Sequence, residues 1–254
     1  MKIKTIAHIL SLALLSGAAL AEDYSTGERA DWHVVLGGGL ASAPRYEGSA
    51  NNRLRVVPLI NVQNGHFFAG TARGIGYDFS DNQQMQYGVR LTLAPYRRQN
   101  ADVRLNGTGD IGSAAEAGAF FNAKFSPFYV NANVAGSSRG TRAEIGGGVE
   151  HMLSSNDHMR LGLDLNWANN KYMQTYFGIS AAQALASGGV LAAYNASAGV
   201  KDYVLHANWT HHYDKTWFST ASLSVKQLAG SAQNSPITMK RTGSTLTLMV
   251  GYHF

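Results

Sequence analysis

Apolar side chains recur at every second position, segment after segment, from Trp32 to the last residue. That spacing is the period of a β-strand, whose successive side chains point to opposite faces. The closing segment shows it most plainly: Leu246, Leu248, Val250, Tyr252 and Phe254 share one face, and Thr245, Thr247, Met249, Gly251 and His253 the other. Met159, Leu161, Leu163, Leu165 and Trp167 alternate likewise with Arg160, Gly162, Asp164 and Asn166. The pattern repeats over Trp32–Leu40, Tyr87–Leu93, Phe128–Val134 and Ala143–Val149. Weaker copies run over Arg53–Val62, Phe67–Phe79, Ala115–Phe125, Tyr203–Trp209 and Trp217–Val225. Most are close to the roughly 9–11 residues a tilted strand needs to cross a bilayer. Single-chain bacterial barrels have even strand numbers, so the eleven segments found here leave one missed or over-counted. The fold class expected is all-β: a single-chain antiparallel transmembrane β-barrel with twelve strands favoured and ten the alternative.

What faces the two sides supports lipid over a soluble core. No window beyond the N-terminus holds the ~20 apolar residues of a membrane helix, so entry into a bilayer must be by strands. Charged residues make up 15% of the chain, against ~25% in soluble domains, and fall mostly opposite the aliphatic face. Aromatics gather near segment ends (Trp32, Tyr96, Phe125, Phe128, Trp167, Trp209, Tyr213, Trp217 and Phe254), which suggests two interfacial girdles. Tight connections such as Asn64-Gly65, Ser126-Pro127, Ser154–Asp157 and Asp214-Lys215 alternate with long ones at Arg97–Gly112, Asn169–Ala193 and Ala229–Thr242. Short periplasmic turns and long outer loops give that contrast. The Ala181–Ala186 run in the middle long loop suggests a short helix, and that loop's aromatics a fold back over the barrel mouth.

The N-terminus adds a compartment. Lys2 and Lys4 precede an apolar run from Ile6 to Leu20, and Ala19-Leu20-Ala21 offers a small-x-small cleavage site. Residues 1–21 therefore read as a cleaved signal peptide, with the barrel over 22–254. Loss of the two lysines reduces the formal charge from +5 to +3, too little to argue for nucleic acid. Cysteine is absent, so an exported chain of this kind holds together without disulfides. The terminal strand Leu246, Leu248, Val250, Tyr252 and Phe254 matches the aromatic-ended signal read by the barrel-assembly machinery. The expected location is the cell outer membrane.

Candidate chemistry is thin. Gly37-Gly38-Gly39 and Gly146-Gly147-Gly148 resemble phosphate loops, but neither opens a helix or precedes Lys-Ser/Thr; small residues that let strands approach are the better reading. His211 and His212 are adjacent on a strand and so face opposite ways, which argues against shared chelation. No Gly-x-Ser-x-Gly or comparable motif marks an enzyme, and neither cofactor nor metal is expected. Inward-facing Arg55, Arg90, Lys124, Arg142, Arg160 and Lys226 are nearly balanced by Asp78, Glu116, Glu144, Glu150 and Asp164. Balanced charges pair, which suggests a lumen that is closed or weakly conducting.

Several strings carry a resemblance. Gly37-Gly38-Gly39-Leu40 leads to Pro44-Arg45-Tyr46-Glu47-Gly48-Ser49. Val56-Val57-Pro58-Leu59-Ile60 and Asn106-Gly107-Thr108-Gly109-Asp110-Ile111 follow. Then come Tyr176-Phe177-Gly178-Ile179-Ser180-Ala181-Ala182-Gln183-Ala184, Ser187-Gly188, Tyr194-Asn195 and Ser235-Pro236-Ile237. In order and spacing these resemble the MipA/OmpV family, the MltA-interacting outer-membrane proteins. Thr108 departs from an apolar residue of the pattern, and Leu185–Ala193 carries extra Gly and Ala. The resemblance implies a non-enzymatic scaffold that links a murein lytic transglycosylase to a penicillin-binding protein; a small porin-like channel for solutes or antibiotics is the alternative. Murein enzymes lie on the periplasmic side, so docking falls to the short turns or to Glu22–Asp31.

Overall fold

A computed structural model describes residues 32–254; the expected signal peptide and Glu22–Asp31 lie outside these. Twelve antiparallel strands close into one barrel: β1 Trp32–Pro44, β2 Asn52–Asn64, β3 Phe67–Gly70, β4 Gly74–Asp78, β5 Met85–Ala94, β6 Ala114–Phe125, β7 Phe128–Ser137, β8 Gly140–Met152, β9 Asp157–Ala168, β10 Gly199–His212, β11 Trp217–Leu228 and β12 Thr242–His253. Each strand pairs with its sequence neighbours, and β1 meets β12 from Val35↔His253 to Ser42↔Leu246. The twelfth strand is the one missing from the eleven segments. Phe67–Phe79 is a hairpin of two short strands turning at 71–73, too short for either arm to show a period.

Outward residues are apolar and exposed, as lipid contact requires: Leu54 66%, Ile145 62%, Leu163 54% and Leu248 55%. Inward neighbours such as Glu116, Asp164, Asp202 and Thr247 are buried. The terminal strand follows this rule, with Leu246, Leu248 and Val250 outward. Phe254 is tied down by its N–H donating to the Val34 carbonyl (3.0 Å). Gly37 and Gly39 serve the seam: a Cβ on either would stand about 2 Å from the β12 carbonyls of Val250 and Leu248. The glycine triplet is thus a close strand approach where the wall curves.

The aromatic distribution corrects the two-girdle expectation. Rings crowd the short-turn end, where Phe67–Tyr77–Phe79–Tyr87 run edge to edge at 4.8, 5.2 and 6.4 Å between centroids. Trp217–Tyr252–Phe254 follow at 5.0 and 4.8 Å. Trp32, Phe125, Phe128, Trp209 and Tyr213 are exposed at that same end, whereas Trp167 and Tyr203 are sparse company at the other. Tyr96 leaves the belt altogether and lines the interior.

One sector of the wall is low. β2 pairs with β3 only from Asn61 to Asn64, and β5 with β4 only from Gly88 to Leu91. Above the 71–73 turn, the loop-side half of β2 has no strand on that flank among the described residues.

We predict that Leu163→Arg, mid-wall on the lipid face, destabilises the folded barrel by about 2–4 kcal/mol, read by denaturant titration in lipid vesicles. Arg160→Gln, facing inward four positions from Asp164, should not show a cost that depends on bilayer thickness.

Candidate functional site

The long loops form a built structure at the mouth. By the short-turn, long-loop rule this end faces outward. After β9, α1 Asn170–Phe177 starts at Asn169, whose side chain accepts from the Tyr172 N–H. The helix α2 Ala181–Ala186, where the sequence places one, opens on a capping box between Ser180 and Gln183. After β11 comes α3 Gly230–Gln233. α1 buries Tyr172, Met173, Tyr176 and Phe177 against Ile111, Ala168, Leu228 and Ala232. A second cluster joins Tyr46, Leu105, Ile179, Leu191 and Ile237. The loop aromatics do fold back over the mouth.

Many of the residues that carry the family resemblance lock this cap, while Gly37–Leu40 and Val56–Ile60 lie in β1 and β2. Tyr46 donates its hydroxyl to the Ile237 carbonyl (2.9 Å), 191 positions away. The Gly48 carbonyl accepts from the N–H groups of Met239 and Lys240 (2.8 and 3.0 Å). The Ser49 N–H donates to the Tyr46 carbonyl (3.0 Å) and closes that turn. Tyr176 donates to the Pro95 carbonyl (2.7 Å), and its own carbonyl accepts from Arg97 Nη1 (2.6 Å). Ser235 Oγ donates to the Phe177 carbonyl (2.5 Å). The Pro236 carbonyl takes both Nε and Nη2 of Arg104 (2.9 and 2.7 Å). Gly178 ends α1 with its N–H on Gln174. Ser187 Oγ accepts from the Leu191 N–H (3.0 Å), and Gly188 supplies a positive φ of 68° to the same turn. Sequence strings from five regions converge on one structure. Thr108, the departure from the pattern, uses its carbonyl to take Gln183 Nε2 (2.6 Å).

Beneath the cap lies a cavity of about 990 Å³ that reaches down to Gln86 and Asn122, near the short-turn end. Twelve Lys/Arg and three Asp/Glu line it. The near-balance expected from the strands therefore fails here. The cations that tip it, among them Arg45, Arg53, Arg97, Arg98, Lys240 and Arg241, come from loops and strand rims that the strand count omitted. The expected pairing does hold on one wall. Arg142 binds Glu116 (2.6 Å) and Lys124 approaches Glu150 (3.9 Å). Lys201 and Lys226 share Glu47 (2.7 and 2.6 Å) and contact Asp202. Arg90 is held by Asn133 (2.7 Å), and Arg73 lies over the Phe68 ring (4.2 Å). Around the β1–β2 end and the loop rims, Arg45, Arg53, Arg55, Arg97, Lys240 and Arg241 have no carboxylate at ion-pair distance among the described residues.

Burial shifts the loop groups. The Tyr46 phenol is pushed up to about 12 by burial, with Asp102 adding to it. Burial lowers Arg97 to about 10. For Glu47, burial pushes the carboxyl up, but the Lys201 and Lys226 charges overcome this and hold it well below the usual range.

Other polar side chains of the wall find structural places, His211 and His212 among them. Tyr129 OH meets His206 Nε2 at 2.9 Å, and Asp164 Oδ2 lies 3.1 Å from His206 Nδ1. Tyr129 and His206 are buried and Arg160 stacks on the Tyr129 ring at 3.5 Å, while Asp164 also lines the cavity. His211 turns outward onto Asp157 (2.8 Å), and His212 turns inward to Phe218 and His253. The low stretch of wall escaped the sequence reading, although Pro58, which lacks the N–H a ladder needs, was its signal.

A closed, lipid-faced, loop-capped barrel of this kind defines an outer-membrane β-barrel protein. The chain belongs to the family described as MltA-interacting protein MipA, whose model matches residues 36–254. No curated protein matches it. Among solved structures it is similar to the KdgM porin, at 9% identity and TM-score 0.42 over 87% of this chain and 99% of that one. It is also similar to the CymD monoaromatic hydrocarbon channel, at 11% and 0.42 over 95% and 91%. The toluene transporter TodX of Pseudomonas putida gives 9% and 0.39 over 92% and 95%.

Two outcomes follow for the cap. A Cβ at Gly48, where φ is +95°, would lie 2.9–3.0 Å from Thr238; Gly48→Ala should cost about 1–3 kcal/mol and open the 229–241 loop to protease, while the barrel keeps its heat-modifiable mobility. Glu47→Gln should cost about 1–3 kcal/mol by removing one of the two carboxylates that hold the Lys201 and Lys226 ammonium groups. Because the Glu47 value is depressed, its contribution is complete above the ordinary 4.5 and is lost as pH falls below it. Denaturant midpoints between pH 7 and pH 3 should fall in the wild type and change less in the variant.

Proposed function

We propose that this chain is a non-enzymatic protein of the outer membrane that scaffolds murein-remodelling enzymes, holding a lytic transglycosylase and through it a penicillin-binding protein on the periplasmic side. The observation that carries this reading is the family match over the whole barrel. The architecture suits it, because a closed hydrogen-bonded wall gives a rigid mount and the family residues stiffen the far end without a catalytic motif. The docking surface falls to the short turns and to the residues before Trp32.

A second reading, a narrow passage for small solutes, is favoured by the cavity that runs from the cap to Gln86 and Asn122.

Full mature protein immobilised in detergent should retain a purified murein lytic transglycosylase above a control barrel. Absence of such retention, together with large stable conductance steps in planar bilayers, would replace the scaffold with the passage.

A further inference from the structure

The low stretch of wall is a framed window. Its sill is the 71–73 turn, where the Thr71 N–H donates to the Ile60 carbonyl (2.9 Å) and Thr71 Oγ1 accepts from the Ile60 N–H (3.3 Å). Antiparallel main-chain groups alternate sides along a strand, so Leu54, Val56 and Pro58 aim theirs at the same flank as Ile60. No strand meets them there among the described residues. Pro58 has no N–H to leave unpaired, which is where proline is tolerated in a sheet. The other jamb is β5 above Leu91, the last residue paired with β4. The lintel is the segment after β5, pinned to the β1–β2 loop where Arg45 Nη1 donates to the Ala101 carbonyl (3.2 Å). The missing height spans two strands, so the jambs stand about 14 Å apart at three strand spacings.

Bare main-chain groups are not tolerated against hydrocarbon, so something polar must meet the β2 edge. The cavity passes through this window. Leu54 and Val56, which face outward with exposures of 66% and 77%, line it together with inward-facing residues. Directly inside stand the unneutralised cations. Arg53 and Arg55 lie on the inward face of β2, and Arg55 Nη2 donates to the Arg45 carbonyl (3.4 Å). Arg97 is only 7% exposed, and its Nε, like that of Arg55, has no hydrogen-bond partner. Guanidinium forks suit carboxylate and phosphate groups. An aliphatic jamb on the lipid side and guanidinium groups without a carboxylate on the water side, from exposed Arg53 through half-buried Arg55 to buried Arg97, together select a molecule with both characters.

We infer that the window is a lateral port for an anionic amphiphile of the membrane: its phosphate or carboxylate headgroup binds Arg53, Arg55 and Arg97, and its acyl chain lies against Leu54 and Val56. A free anion shares the headgroup chemistry but makes no use of the apolar jamb. This port is independent of enzyme docking at the turns, so its test contains no transglycosylase.

The chain has no cysteine, so Val56→Cys carries a single fluorophore at the port. Full mature protein in a neutral detergent is titrated with dodecyl phosphate, inorganic phosphate and additional dodecyl maltoside. Dodecyl phosphate should bind saturably and at least tenfold more tightly than inorganic phosphate, with no saturable response to the maltoside. Arg53→Gln with Arg55→Gln should weaken it at least tenfold; Lys124→Gln, at the other end of the barrel, should not. Heat-modifiable mobility verifies folding of each variant, and the exposed Arg53→Gln alone gives a smaller loss in the same direction. In nanodiscs without ligand, the Leu54 and Val56 amides should exchange hydrogen faster than Leu36 in the β1–β12 seam, and slow on adding dodecyl phosphate. Equal binding of inorganic phosphate, an unchanged affinity in the arginine variants, or seam-like protection of Leu54 and Val56 in the empty protein would each overturn the port.

Discussion

Everything in this molecule depends on hydrogen-bonding the backbone where water is absent. A strand can enter hydrocarbon only if both its flanks find partners, and a closed ring is the solution that leaves no edge. The β1–β12 seam completes that ring, and the sequence prepares it with glycines at positions where β-carbons would strike the opposing carbonyls. The aliphatic outer face is a consequence of closure: once the polar main chain is spent on the ladder, only side chains meet lipid. Against this rule the short β3–β4 hairpin stands out, since it leaves part of β2 without its second neighbour.

Charge is organised on the same terms. On the wall formed by β6, β8, β10 and β11, cations meet carboxylates along the inner surface, as Arg142 meets Glu116 and Lys201 meets Asp202. Such groups fill space and fix neighbouring strands. Around β2 and the rims, Arg45, Arg53, Arg55 and Arg97 lack a carboxylate partner among the described residues. This separation of matched from unmatched charge turns an interior that would otherwise be filler into a chamber with a preference of sign.

The strands were legible because period two survives any detail of tertiary packing: a slip of one residue would put Arg160 or Asp164 into lipid. The family strings were legible as strings, but not as a cap, because their meaning lies in pairings such as Tyr46 with Ile237 that no local pattern encodes. The excess of positive charge was illegible for a related reason. Its residues sit in loops without periodicity, so nothing in the chain assigned Arg97 or Arg241 to the interior. The hairpin hid because arms of four and five residues give no period to read. Aromatic placement was half legible: ring-rich strand ends were evident, but which end they shared needed the topology.

The cap also carries a timetable. Two sets of its fastenings, Tyr46 to Ile237 and Gly48 to Met239 and Lys240, join the first loop to the segment just before the last strand, so they need nearly the whole chain. Arrival of the final hairpin therefore does two jobs at once: it zips the ring shut through β12 and brings in Ser235, Pro236 and Ile237 to bolt the roof. Ring closure and these fastenings thus draw on one segment of the chain, and a chain lacking the last hairpin would be both unclosed and without them.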